Sequence, residues 1–188
     1  MLGGLLTPNK TLMKQVSAYK KSLMAVVFSF FVVTGAFAQF SIGAELALPM
    51  GSPFSDGFNM GFGGSVNYQA PINDNLSWLG YAGYQSYGAK NLPSGYSGSF
   101  SMIPIMAGVR YYFTESGAGF YGEVDLGMFF ASASASGGGS SFSSSDSKFG
   151  FTPALGYRVS SFDLGLRYNL ISDANNLAFR IAYVLGGK

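Results

Sequence analysis

Cysteine and histidine are both absent from the 188 residues of this chain. Without cysteine there is no disulfide, no metal–thiolate centre and no thiol to carry a lipid. Without histidine, a Ser–His–Asp triad, an Asp–His protease site and a histidine-ligated metal are all excluded, because each needs an imidazole as base or ligand. Charge is scarce too. Asp, Glu, Lys and Arg make up 11% of the residues, against roughly 25% in an ordinary soluble domain. So few charges make a poor water-facing surface.

The apolar run nearest the start is also short. Leu23 to Val33 (LMAVVFSFFVV) falls below the roughly 20 residues of a spanning helix. It follows the basic residues Lys10, Lys14, Lys20 and Lys21 and precedes Ala36-Phe37-Ala38. A basic stretch, an apolar core and an A-x-A site predict a cleaved signal peptide over 1–38, cut between Ala38 and Gln39. Met13 is an alternative start to Met1. The barrel described below is expected over 39–188. Removing the leader leaves seven Lys and Arg against nine Asp and Glu. The basic balance of the whole chain is then a property of its leader, and nucleic acid is not an expected partner.

What the remaining chain does have is alternation. In 120–130, Phe120, Val124, Leu126, Met128 and Phe130 share one phase, while Glu123 and Asp125 take the other. Phe149, Phe151, Leu155 and Tyr157 oppose Thr152 and Arg158. Phe162, Leu164, Leu166, Tyr168 and Leu170 oppose Asp163, Arg167 and Asn169. Successive strand residues point to opposite faces, so each strand has an oily side and a polar side. The polar phase is otherwise Gly, Ala, Ser and Thr. Small residues with a few charges suit a barrel lumen, and large apolar ones suit a lipid-facing wall.

The fold expected is therefore all-β, an eight-stranded antiparallel transmembrane β-barrel. Its strands are predicted at 40–48, 59–70, 76–87, 100–113, 119–131, 148–159, 162–171 and 177–186. Most approach the roughly 9–11 residues of a tilted membrane strand. The third has a confused phase, with Trp78 and Tyr84 opposed by Leu79 and Tyr81. Pro104 and Pro153 sit inside strands, where each removes a ladder donor; they mark bulges or argue against the assignment. Longer connections at 49–58, 88–99 and 132–147 alternate with short ones at 71–75, 114–118 and 160–161, the pattern of external loops and periplasmic turns. The connection 172–176 is short for an external loop. Ser132 to Ser147 (SASASGGGSSFSSSDS) is too poor in apolar residues to order itself. It is expected to be a solvated tip, with a surface recognition loop as the alternative.

The polar phase carries eight charges: Glu45, Arg110, Glu123, Asp125, Arg158, Asp163, Arg167 and Arg180. Four acids and four arginines balance, and arginine's planar fork suits carboxylates. One reading is an internal salt-bridge network filling a barrel just wide enough for its own side chains. The other is an ion or proton path. Glu123 and Asp125 are better explained as partners of Arg110 and Arg158 than as a glycosidase pair. Gly61-Phe62-Gly63-Gly64 lacks the lysine and strand-to-helix context of a phosphate loop. Tyr68, Trp78, Tyr84, Tyr111, Tyr157, Tyr168 and Tyr183 suit interfacial girdles. No catalytic residue, cofactor site or metal site emerges.

From Ala154-Leu155-Gly156-Tyr157-Arg158 through Leu164-Gly165-Leu166-Arg167-Tyr168 to Phe179-Arg180-Ile181-Ala182-Tyr183, the chain resembles the small outer-membrane β-barrel proteins of Gram-negative bacteria, of the OmpX, OmpA-barrel and OmpW types. The resemblance implies export to the outer membrane and a non-enzymatic role in envelope integrity, adhesion or stress resistance. Its implied partners are outer-membrane lipid and lipopolysaccharide and the barrel-assembly machinery, with any surface ligand unspecified. Two alternatives stay open. An OmpW-like conduit for small hydrophobic molecules needs an apolar entrance, which Tyr87, Met102, Met106 and Phe129 on the inner phase supply. A secreted lipocalin-like binder needs the oily residues inside.

Overall fold

Alternation of this kind closes a sheet when every strand buries the same face. The computed structural model describes residues 38–114 and 117–185. Apart from Ala38, the predicted signal peptide, Ala36 included, lies outside them. Eight strands follow one another: β1 (Gln39–Pro49), β2 (Gly61–Pro71), β3 (Leu76–Gly88), β4 (Tyr96–Tyr112), β5 (Gly119–Gly137), β6 (Ser140–Val159), β7 (Phe162–Ile171) and β8 (Asn176–Leu185). A single helical turn, α1 (Phe54–Gly57), lies between β1 and β2. Each strand pairs with the next, and β8 closes antiparallel on β1, with Arg180 opposite Glu45. The result is a closed barrel without a free edge around its body.

The two phases part cleanly. Phe40, Ile42, Phe62, Val66, Ile105, Val124, Leu126, Leu155, Leu166 and Ile181 all stand on the outside. On the same strands Ser41, Glu45, Asn67, Asp125, Arg167 and Arg180 are buried within. On β5 the contrast runs from Phe120, 67% exposed, to Asp125, 0% exposed. In β3 the ambiguity resolves with Leu79, Tyr81 and Tyr87 inward and Tyr84 outward. Both faces of that strand carry large side chains, because the lumen beside it is packed with rings.

Pro104 and Pro153 interrupt bonding without forming bulges. The β3–β4 ladder lacks its rungs beside Pro104, and the β6–β7 ladder lacks those beside Pro153. Register is unchanged across both gaps, since no residue has been inserted. Each proline strand stays paired on its other side, Pro104 to Phe129 and Pro153 to Val124.

The segment Ser132–Ser147, expected to have no order of its own, is regular sheet for most of its length and stays largely exposed. β5 and β6 continue to Gly137 and Ser140, and β4 begins at Tyr96 rather than at residue 100. Gly138 and Gly139 join them with φ of 59° and 82°. A two-residue hairpin turn of this hand needs two left-handed residues, and glycine supplies them without strain. The composition argument considered only side-chain burial. Backbone bonding carried upward from the barrel orders the segment without it. Three serine rungs cross this arm: Ser97–Ser136–Ser141, Ser99–Ser134–Ser143 and Ser101–Ser132–Ser145. Hydroxyls bond across it at Ser97–Ser136 (2.8 Å), Ser99–Ser134 (2.9 Å) and Ser132–Ser145 (3.0 Å).

Candidate functional site: the barrel interior

Glycine and alanine on the inner phase make room for larger neighbours across the ladder. A Cβ on Gly156 would lie 2.2 Å from the Tyr121 ring opposite it, and one on Gly150 would lie 2.5 Å from Phe129. Gly61 accommodates Tyr87 in the same way, and Gly127 accommodates Met106. The small residues that suggested a lumen are thus the seats of the side chains that fill it.

The interior has two layers. Nearer the end that carries the short turns and the chain's described termini, the layer is ionic. Arg110 donates from Nε (2.8 Å) and Nη2 (2.6 Å) to Glu123 Oε2, its direct partner on β5, and from Nη1 to Asp163 Oδ2 (2.7 Å) across the lumen. Its guanidinium lies 3.8 Å from the centre of the Tyr121 ring, whose hydroxyl donates to the other oxygen of Asp163. Arg167 donates to Glu123 Oε1 and, at 2.7 Å, to Asp125 Oδ2. It reaches Glu123 past Ala154, the small residue paired with both on the strand between. Its guanidinium lies 4.2 Å from the centre of the Tyr81 ring. Two arginines thus hold one carboxylate, each stacked on a tyrosine face, where a weakly hydrated planar cation sits well.

Glu45 accepts from Tyr81 Oη (2.6 Å) and Gln85 Nε2 (2.9 Å), with Arg180 Nε at 3.8 Å. Arg180 donates to Ser65 and Ser41, both at 2.9 Å, and its Nη1 lies 3.8 Å from Asp163. All eight charged residues singled out in the sequence are therefore buried within the barrel. Seven join one ion-pair cluster. Arg158 stands apart: it donates to the Gln39 side chain and to Tyr112 Oη, with no carboxylate partner among the described residues. The partners of Glu123 are accordingly Arg110 and Arg167, and that of Asp125 is Arg167, not the expected Arg158.

The second layer, towards the opposite mouth, is mainly apolar, beside a buried chain in which Thr152 donates to Asn169 (2.8 Å) and Asn169 to Asn176 (2.7 Å). Tyr87, Met102, Met106 and Phe129 pack with Ile171, Ala174 and Ala178, all buried. Phe54 of α1 closes over them, its ring 5.1 Å from Tyr87 and 5.2 Å from Phe100, both edge-on. Sequence reading missed this cap because 49–58 carries no strand period. Its one signal was a pair of aromatics, Phe54 and Phe58, four residues apart around Ser55-Asp56-Gly57. Beside the mouth, Lys148 Nζ donates to Asp173 Oδ2 at 2.9 Å. That bond holds the Asp173 carboxyl below its usual range.

Among the described residues no group of acidic side chains is arranged to hold a metal ion. The eight interior charges are taken up by bonds to one another and to neutral polar side chains.

No protein-family model matches this chain, and no curated protein is similar to it in sequence. Solved structures are similar in fold. Ail, the attachment invasion locus protein of Yersinia pestis, matches at 16% identity over 79% of this chain and 97% of that one, with a TM-score of 0.59. The same protein in complex with the heparin analogue sucrose octasulfate matches at 17% identity over 79% and 97%, with a TM-score of 0.60. Neisserial surface protein A matches at 21% identity over 78% and 94%, with a TM-score of 0.48. The likeness is one of architecture, and this chain has the fold of the small eight-stranded barrels found in bacterial outer-membrane proteins.

Proposed function

We propose that the protein is a non-enzymatic, integral outer-membrane barrel with a filled, non-conducting lumen, serving a structural or surface-interaction role in the envelope. One observation carries this reading. Large apolar side chains cover the outside on every strand, while eight strand charges are buried inside and seven of them join one ion-pair cluster. That arrangement is stable where the outside is hydrocarbon and the closed ladder pairs the backbone around the wall. It is unfavourable in water, which would face a continuous apolar belt. The soluble-binder alternative loses its support for that reason.

The conduit alternative has one observation in its favour. Its apolar entrance residues do gather at one mouth, around a pocket of about 170 Å³ beside Phe100, Met102 and Phe129. Below them the Arg110–Glu123–Arg167 cluster crosses the lumen, and Phe54 covers the layer above. The filled reading therefore has more behind it.

Two measurements test the proposal. In detergent, the unboiled protein should run faster on a gel than the boiled protein. In planar bilayers it should give no stable openings. Recovery as a soluble protein with no mobility shift would overturn the membrane reading, and steady conductance would overturn the filled lumen.

A further inference from the structure

The outer wall changes character abruptly at one height. On β4 the outward phase passes from Ile103 to Ser101, on β5 from Phe130 to Ser132, and on β6 from Phe149 to Ser147. Above that line every outward residue of the three-stranded arm from Ser97 to Ser101, Ser132 to Ser136 and Ser141 to Ser147 is serine. The three rungs of the arm therefore continue the lipid-facing wall as an uncharged array of hydroxyls. Asp146 and Lys148 belong to the opposite phase, and Lys90, next to the residue bonded to Gly98, turns its ammonium to the Ser55 carbonyl at 2.9 Å. A shallow depression of about 310 Å³ is lined by Ser97, Ser99, Ser134, Ser136, Ser141 and Ser143.

We propose that this face is a docking surface for the neutral sugar headgroups of glycolipids in the leaflet that surrounds the barrel. The inference rests on the proposed membrane setting. Position names the occupant: whatever stands directly above the hydrocarbon against Ile103, Phe130 and Phe149 also stands against the serines. Chemistry narrows it. A serine hydroxyl both donates and accepts. In each serine pair one hydroxyl proton is spent between strands and the other remains to be given away. Such a surface matches a polyol, which likewise donates and accepts. It offers no cation to a phosphate. Strands about 4.8 Å apart, with outward residues spaced about 6.8 Å along each strand, set the hydroxyls on a regular grid. Successive sugars of a chain can meet that grid repeatedly.

The chain lacks cysteine, so S143C gives a unique labelling site for a polarity-sensitive fluorophore. The labelled full-length barrel is inserted into phosphatidylcholine vesicles with and without a digalactosyl diacylglycerol. Lipid co-purifying with unlabelled protein is counted by mass spectrometry. The expected results are a fluorophore shift only with the glycolipid and about a fivefold enrichment of that lipid, the equivalent of roughly one net hydrogen bond. The middle-rung variant S99A/S134A should abolish the enrichment and S99T/S134T should keep it, with the heat-shifted gel band showing that each has folded. Equal lipid composition around wild type and the alanine variant would overturn the proposal. So would the same fluorophore shift from soluble digalactoside in plain phosphatidylcholine, which would make the surface a site for free saccharide. Failure to insert into either vesicle would instead overturn the membrane reading beneath it.

Discussion

Glu123 and Arg167 are bonded although a whole strand separates them. The carboxylate projects from β5 and the guanidinium from β7, and the methyl of Ala154 between them leaves the path open. Glu123 already holds Arg110 with its other oxygen. One carboxylate is therefore the common acceptor of two buried cations, and the cluster's stability turns on it.

E123Q should consequently be the most damaging single change among the interior charges. It takes one charged acceptor from each of two arginines, which keep Asp163 and Asp125, a loss of about 3 kcal/mol. R158Q should cost about 1 kcal/mol, since Arg158 gives up only bonds to neutral acceptors. Urea unfolding of the two variants in phospholipid vesicles decides the order. Equal losses would show that the cluster does not work as a unit.

Val124 stands outward within the apolar stretch of β5 from Phe120 to Phe130, beside the proline gap in β6. V124R places a charge in the apolar belt and should lower stability in a bilayer by about 2–4 kcal/mol. Folding into vesicles as readily as wild type would show that the faces have been assigned the wrong way round.

Gly156 and Gly64 are both strand glycines, yet substitution should separate them. At Gly156 a Cβ meets the Tyr121 ring at 2.2 Å and the Leu164 carbonyl oxygen at 2.5 Å, whereas at Gly64 the nearest atom is 3.4 Å away. G156A should cost about 1–3 kcal/mol through overpacking. G64A should lie within about 0.5 kcal/mol of wild type, as surface changes away from special features do. The comparison is made by parallel denaturant titrations.

Cleavage after Ala38 would make Gln39 the first residue of the mature protein and the first residue of β1. Intact mass of protein purified from membranes should match a chain starting there. A chain retaining residues 1–38 would rule out the signal peptide. Gln39 also accepts from Arg158, so Q39A should weaken the closure of β1 against the rest of the lumen without removing it.

Period-two alternation made the strands legible wherever one face was oily and the other small. β7, expected at 162–171, spans Phe162–Ile171. It failed where that contrast disappears. In β3, Leu79 and Tyr81 are as apolar as Trp78 and Tyr84, so hydrophobicity alone could not orient the strand. In the arm, serine alternates with alanine, glycine and more serine, and no pattern of burial marks it as a strand. The eight interior charges could be named because each falls on the polar phase. Their partners could not all be paired, because Asp163 meets Arg110 across the lumen and sequence spacing carries no such distance. Phe54 was invisible for a simpler reason: one ring on one helical turn has no period.

The Gly138-Gly139 turn keeps β5 and β6 in the register that they have in the barrel, and the side on which the arm shows its hydroxyls follows by counting. Residues are tallied outward from the barrel along β5 and back along β6, so every lengthening of the hairpin is a question of parity. Adding two residues to each strand adds a rung and keeps the serines outward. Adding one to each exchanges the faces of everything beyond the insertion and turns alanine to the outside. The arm can therefore be extended only in even steps, like a ladder that is always left with a rung on the same side.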